Sequence, residues 1–230
     1  MFGWLTERWC DSGDEYNGGC THHAPHTLPP IGWDGAQALP RELSFDAAGK
    51  LLIKPVQETV TLRTARGATL AKGLRLDAGG ASTYLTKGRA LELQLNTSMP
   101  AVGSCVAMDV LASPSTSERT TILLDGTSKK LSIITVNSSL GPVGGRMPYR
   151  SPPLFFLSRL SHEQASGVRG YDDIFIHVFV DHSCIEVFIN ERIAITARAY
   201  PVASDSEEVR LWSDGKDATL DVASWHLALV

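Results

Sequence analysis

The chain has 230 residues, a formal net charge of −4 and no basic block, which excludes an electrostatic nucleic-acid binder. Hydrophobic residues are 43% and charged residues 20%, ordinary for a globular protein with one sizeable core. No apolar run approaches the roughly 20 residues of a membrane-spanning helix, and four cysteines are too few for a disulfide framework at this size.

Residues 2–6 read as a short strand. The opening "MFGWLTERW" lacks the basic-then-apolar order of a signal peptide. Residues 11–30 are polar and rich in Gly, His and Pro, and a loop that long reads as an insertion or a disordered segment. Within it Cys20, His22, His23 and His26 are zinc-type ligands, and Cys10 would complete a set. The spacing matches no compact zinc motif, so no metal and no cofactor are expected. The plainer expectation is a solvated loop, closed by a Cys10–Cys20 disulfide in an oxidising compartment.

From about Thr64 onward the reading is all-β. Residues 89–96 alternate Leu91, Leu93 and Leu95, and residues 104–112 alternate Val106, Met108 and Val110. Residues 120–135 read as a hairpin, with Asp125-Gly126 as a two-residue turn or as part of a longer loop. A Gly/Pro/Ser loop covers 138–153, a strand is expected at 154–157, and 162–171 looks irregular. Residues 173–201 carry the clearest pattern, three strands and two tight turns. Residues 208–214 and 217–229 close the chain. The fold class expected is a two-layer antiparallel β-sandwich with Ile176, Val178, Val187, Ile189 and Ile195 in its core. Cys105 and Cys184 sit in apolar strand contexts and are expected to be buried thiols.

The stretch "VFVDHSCIEVFINERIAITARAYP" resembles the signature of the C-terminal β-sandwich of glycoside hydrolase family 32, the invertases, inulinases and levanases. The residues that carry the likeness are Asp181, Ser183, Glu186, Phe188, Asn190, Arg198, Tyr200 and Pro201. "FGW" near the start and "GWDGAQALPREL" at 32–43 resemble the last hairpin of that family's five-bladed catalytic propeller. "GKLLIKPV" at 49–56 resembles the segment by which the chain leaves it. The resemblance therefore implies a propeller remnant at 1–56, a linker at 57–63 with a short helix, and the sandwich at 64–230. One departure lies at 131–136, where the family often has a charged Asp-Arg pair and this chain has "LSIITV".

A retaining glycosidase needs two carboxyl groups about 5–5.5 Å apart. The family pattern implies an Asn-Asp-Pro run, an Arg-Asp-Pro triplet and a Glu-Cys pair, and none occurs here. The blades carrying them are expected to precede Met1. Among the remaining carboxylates, Asp181 and Glu186 flank a tight turn and are the best pair. The expected role of Asp181 and Ser183 is to bond backbone N–H groups in that turn. Asp181-His182-Ser183 is not read as a triad, because adjacent residues do not take up triad geometry.

The resemblance thus implies a non-catalytic module, supporting propeller stability or oligomer contacts in a parent that hydrolyses β-fructosyl bonds in sucrose or fructans. Its expected partners are the propeller, or another copy through an exposed N-terminal region, with sucrose or fructan bound only by a complete parent. The alternative is a free-standing lectin-like sandwich, for which Trp4, Trp9, Trp33, Trp212 and Trp225 offer aromatic rings. The parent family is expected to be secreted, and Asn96 and Asn137 head glycosylation sequons.

Overall fold

The structure, a computed structural model, describes residues 4–5, 36–65, 67–140, 158–159 and 173–228. Strands β1 (Trp4–Leu5) and β2 (Ala36–Gln37) pair antiparallel, and β3 (Arg41–Phe45) and β4 (Leu51–Pro55) form a hairpin. A six-residue 3-10 helix, Gln57–Leu62, follows where the linker was expected. The remaining strands are β5 (Thr69–Leu76), β6 (Thr83–Lys87), β7 (Ala90–Ser98), β8 (Cys105–Ala112), β9 (Thr120–Asp125), β10 (Lys130–Ile134), β11 (Ser158–Arg159), β12 (Asp173–Asp181), β13 (Cys184–Ile189), β14 (Ile193–Arg198), β15 (Glu208–Asp214) and β16 (Ala218–His226).

These twelve strands make two six-stranded sheets, ordered β11-β10-β9-β8-β15-β6 and β14-β13-β12-β7-β16-β5, with every strand pair antiparallel. Period-two alternation explains why they close on each other. Leu91, Leu93 and Leu95 of β7, Ile176 and Val178 of β12, and Val187 and Ile189 of β13 point to one side. Val106, Met108 and Val110 of β8, Ile122 and Leu124 of β9, and Leu211 of β15 face them in one continuous apolar cluster. Each fully buried aliphatic side chain contributes about 1.5–3 kcal/mol of hydrophobic stabilisation. All five expected core residues, Ile176, Val178, Val187, Ile189 and Ile195, are buried. The fold is the expected two-layer antiparallel sandwich.

Local readings differ in places. The β9–β10 connection is the longer of the two alternatives, because Asp125 pairs with Lys130 and leaves four residues between. Asp125 organises it by accepting from the Thr127 and Ser128 amides at 3.0 and 3.1 Å. Gly126 is required there, since a Cβ would lie 2.1 Å from the Ala101 carbonyl oxygen. Strands β5 and β6 were not separately legible. In β5 the register against β16 shifts between Leu220 and Val222, and Gly73 sits at φ +63, so period two is broken. Cys105 and Cys184 are half-buried rather than inaccessible, because both lie at the first residue of a strand, where the sheet frays into a turn. The 154–157 strand and residues Cys10, Cys20, His22, His23 and His26 lie outside the described residues.

Candidate functional site: the outer face of one sheet

The sheet β14-β13-β12-β7-β16-β5 has a second face, turned away from the core. Register sets its side chains in rows. Trp225, Glu92, Phe179, Glu186 and Thr196 form one row; Ala223, Gln94, His177, Phe188 and Ala194 form the next. In sequence this second face is partly apolar, as central strands of a two-layer structure are, and Glu92, Phe179, Glu186 and Phe188 are all under 5% exposed.

Glu92, fully buried, is the centre of the first cluster. Arg63, just past the 3-10 helix, grips it side-on, Nε to Oε2 at 2.7 Å and Nη2 to Oε1 at 2.5 Å. His177 Nε2 lies 2.7 Å from Oε1, and Gln94 Nε2 donates to the same oxygen at 3.3 Å. Burial pushes the Glu92 carboxyl up, but the bonds from Arg63 and His177 outweigh it and leave its pKa below the ordinary glutamate value. Bonding to Glu92 in turn raises that of Arg63. The Arg63 guanidinium also lies over the Trp225 ring, 3.8 Å from its centroid. His177 packs against Phe179 with centroids 4.6 Å apart, and Phe179 meets Phe188 edge-on.

Glu186 anchors the second cluster. Its Oε1 accepts from the Leu39 amide at 2.6 Å and its Oε2 from Arg41 Nη2 at 2.8 Å. Arg41 sits over the Phe188 ring at 5.5 Å. The β13–β14 turn completes the hold on the hairpin. Asn190 and Glu191 both take positive φ, and Arg192 N donates to Ile189 O at 2.8 Å, the geometry of a type I′ turn. Asn190 fixes this turn by accepting from the Phe175 amide at 2.7 Å. The Glu191 carbonyl then accepts from Ile53 N at 2.7 Å, and Arg192 pairs with Asp46 at 2.6 Å. The Arg192 bond holds the Asp46 carboxyl below its ordinary range.

The other signature residues fall around these clusters. Asp181 does not bond the turn backbone as expected. Its Oδ1 meets the His182 ring at 2.9 Å, both side chains being exposed. The turn's backbone is satisfied by residues that flank the neighbouring strands, His182 N donating to Arg89 O and Ala199 N to Ser183 O. Arg198 donates to Cys184 Sγ at 2.6 Å and to the Tyr200 hydroxyl at 3.0 Å. Burial, the largest influence, raises the Cys184 thiol pKa. Past Pro201, the Val202 and Ala203 amides and the Ser206 hydroxyl converge on the buried Glu118 carboxylate, with Leu140 N as a fourth donor. Burial raises the pKa of Glu118 as well, and these four donors overcome it, for a net lowering.

Chemically, the buried carboxylates of this face are taken up in bonds to residues 39–63. Glu92 and Glu186 have both oxygens committed to arginine and other donors, so neither is a free acid or base. Glu186 sits across from Phe179 and Asp181 across from Cys184, each with its own partner. Among the described residues no group of three or more His, Cys, Asp or Glu is placed to hold a metal ion, and no helix is long and apolar enough to cross a membrane. Sequence reasoning found Glu186, Phe188 and Asn190 but missed Arg41, Arg63, Glu92, His177 and Arg192. The one available signal was the charge at outward positions flanked by Phe175, Phe179 and Phe188, aromatic residues a solvated face has no need of.

The family described as "Glycosyl hydrolases family 32 C terminal" matches residues 54–226. A rice (Oryza sativa subsp. japonica) protein, "Beta-fructofuranosidase, insoluble isoenzyme 6", is 28% identical over 86% of this chain, which spans 38% of that protein's length. The exo-inulinase of Aspergillus awamori superposes with a TM-score of 0.68 at 21% identity, over 88% of this chain and 38% of the other. Fructan 1-exohydrolase IIa of Cichorium intybus superposes at 0.66 and 15% identity, over 85% of this chain and 42% of the other.

Proposed function

The chain belongs to the C-terminal family of the family 32 glycosyl hydrolases, and from that premise we propose that it is the non-catalytic C-terminal module or fragment of a β-fructosidase. The parent reaction is hydrolysis of β-fructosyl bonds in sucrose or fructans. The module's task is to seat a catalytic propeller on the outer face just described and stabilise it, with contacts between copies as a further use in the parent. Residues 1–56 are a remnant of the propeller's last blade, 57–63 the linker and 64–230 the sandwich. The parent is secreted. One observation carries the reading: Glu92 and Glu186, the two buried carboxylates of this face, are neutralised by arginines that precede the sandwich, Arg63 and Arg41. A surface that takes its counter-charges from the segment before it is a docking surface for that segment. Further support is the row of exposed apolar residues Leu43, Phe45 and Leu51 on the β3–β4 hairpin, which is surface available to neighbouring blades.

The test is to assay the purified chain on sucrose, inulin and levan, alone and with a separately produced propeller of a family 32 enzyme. The expected result is no fructose release by the chain alone above a Glu186→Gln control, together with binding to the propeller and a higher thermal midpoint of the mixture. Turnover by the chain alone overturns the non-catalytic reading. Fructan binding without any association to a propeller favours the lectin-like alternative.

A further inference from the structure

One motif is left over from the docking account, the sequon Asn96-Thr97-Ser98. On the outer face of β7 the side chains run Glu92, Gln94, Asn96, Ser98. Glu92 is buried, Gln94 half-buried, and Asn96 and Ser98 are exposed. At about 3.3 Å per residue, Asn96 stands roughly 13 Å from Glu92 along the strand. Its cross-strand neighbours are Phe175, half-buried, and Asp221, exposed. Asp221 is engaged by the Gly73 amide at 2.8 Å, whereas the Asn96 carboxamide makes no hydrogen bond among the described residues. The amide thus projects from an exposed position on an inner strand of the sheet, with nothing among the described residues bonded to it, beside an aromatic ring against which a sugar's C–H face can lie.

The second sequon, Asn137-Ser138-Ser139, is placed differently. Asn137 is half-buried, and its two serines are 1% and 7% exposed. The Asn137 carbonyl accepts from Arg119 N at 2.7 Å, and the next residue, Leu140, gives its amide to buried Glu118 at 2.9 Å. An oligosaccharide there would have to leave a packed loop.

We propose that Asn96 is an N-glycan attachment site, and that its glycan stands on the outer face immediately beyond the docking footprint. The position of the footprint rests on the proposed function; the attachment does not. In the step, Asn96 Nδ2 attacks the anomeric carbon of a lipid-diphosphate-linked oligosaccharide. The bond from that carbon to the diphosphate oxygen breaks, the lipid diphosphate leaves with the bonding pair, and Nδ2 gives up one proton. No oxidant or reductant is needed. The glycan shields the half-covered Phe175 end of the sheet and leaves the Glu92–Glu186 end free for the propeller.

The full chain is to be secreted from a eukaryotic host behind a cleavable leader and mapped by peptide mass spectrometry before and after peptide-N-glycosidase. Asn96 is expected to carry glycan and Asn137 to carry none. Asn96→Gln and Ser98→Ala should each abolish the modification, the second with the asparagine intact. A secreted, folded chain with Asn96 unmodified, or with glycan at Asn137 alone, overturns the assignment. Propeller binding should be the same for the glycosylated chain and the Asn96→Gln variant. Weaker binding of the glycosylated chain alone overturns the footprint but not the attachment. Absence of binding by both counts against the docking function, and the mass map is independent of it.

Discussion

The two faces of the β12–β13–β7 sheet are made from the same strands and hold the molecule together by different physics. The inner face, with Leu93, Val178 and Val187 each at 0% exposure, is apolar, and its stabilisation scales with area removed from water. The outer face is equally dry at Glu92, Glu186 and Phe188 but is built from ion pairs and rings. Its carboxylates are costly to bury and stable only while their partners stay in place. The inner face therefore depends on the sandwich alone. The outer face depends on the 39–63 segment, which has to be threaded back over the sheet. That difference separates a face held by burial alone from one held by specific partners.

The sharpest way to break the comparison is Arg63→Ala. It takes the arginine from a fully buried carboxylate, leaving Oε1 with His177 and Gln94 and Oε2 without its donor, uncovers Trp225, and should cost about 3–5 kcal/mol in urea unfolding. Replacing Arg63 and Glu92 together by methionine should recover most of that loss, because the desolvation cost disappears with the charges. A double variant as unstable as the single one would mean that shape, not charge, governs this face. On the inner face Leu93→Ala should cost about 3 kcal/mol through lost transfer energy and a residual cavity, with no such rescue by a second substitution across the sheet.

Acid should separate the faces without mutation. The folded pKa values of Glu92 and Glu118 lie below the ordinary glutamate value of 4.5. Their contributions are therefore fully present above pH 4.5 and erode as pH falls from there through the lower folded values. Thermal midpoints measured downward from pH 6 should hold level and then drop below 4.5. The drop should be shallower in Glu118→Gln than in the parent chain, and unchanged by Leu93→Ala. The smallest effect expected is a gain: Glu191 occupies φ +54 at the second central position of its turn, so Glu191→Gly should stabilise by about 0.5–1 kcal/mol. A loss there would show that the Glu191 side chain, not only its carbonyl, matters to the hairpin.

The sandwich is written in strand alternation. Alternation in "ALELQL", "CVAMDV" and "IFIHVFV" assigns one set of side chains to a buried face, and a one-residue slip would turn Leu93 outward and Glu92 into the core. The sequence also marked Glu186, Phe188 and Asn190 as positions with a purpose, though it attached Asp181 and Ser183 to a turn backbone that residues flanking the neighbouring strands satisfy instead. Which of the outward polar residues are dry is set by long-range packing instead. Glu92 and Asn96 belong to one strand and one face, four residues apart, and nothing local distinguishes them. One is fully buried because Arg63, 29 residues earlier in the chain, returns to cover it. The other is open because nothing described lies over it. Burial of a strand's second face is a property of whatever folds back across it, and that is a long-range contact which no periodicity within the strand encodes.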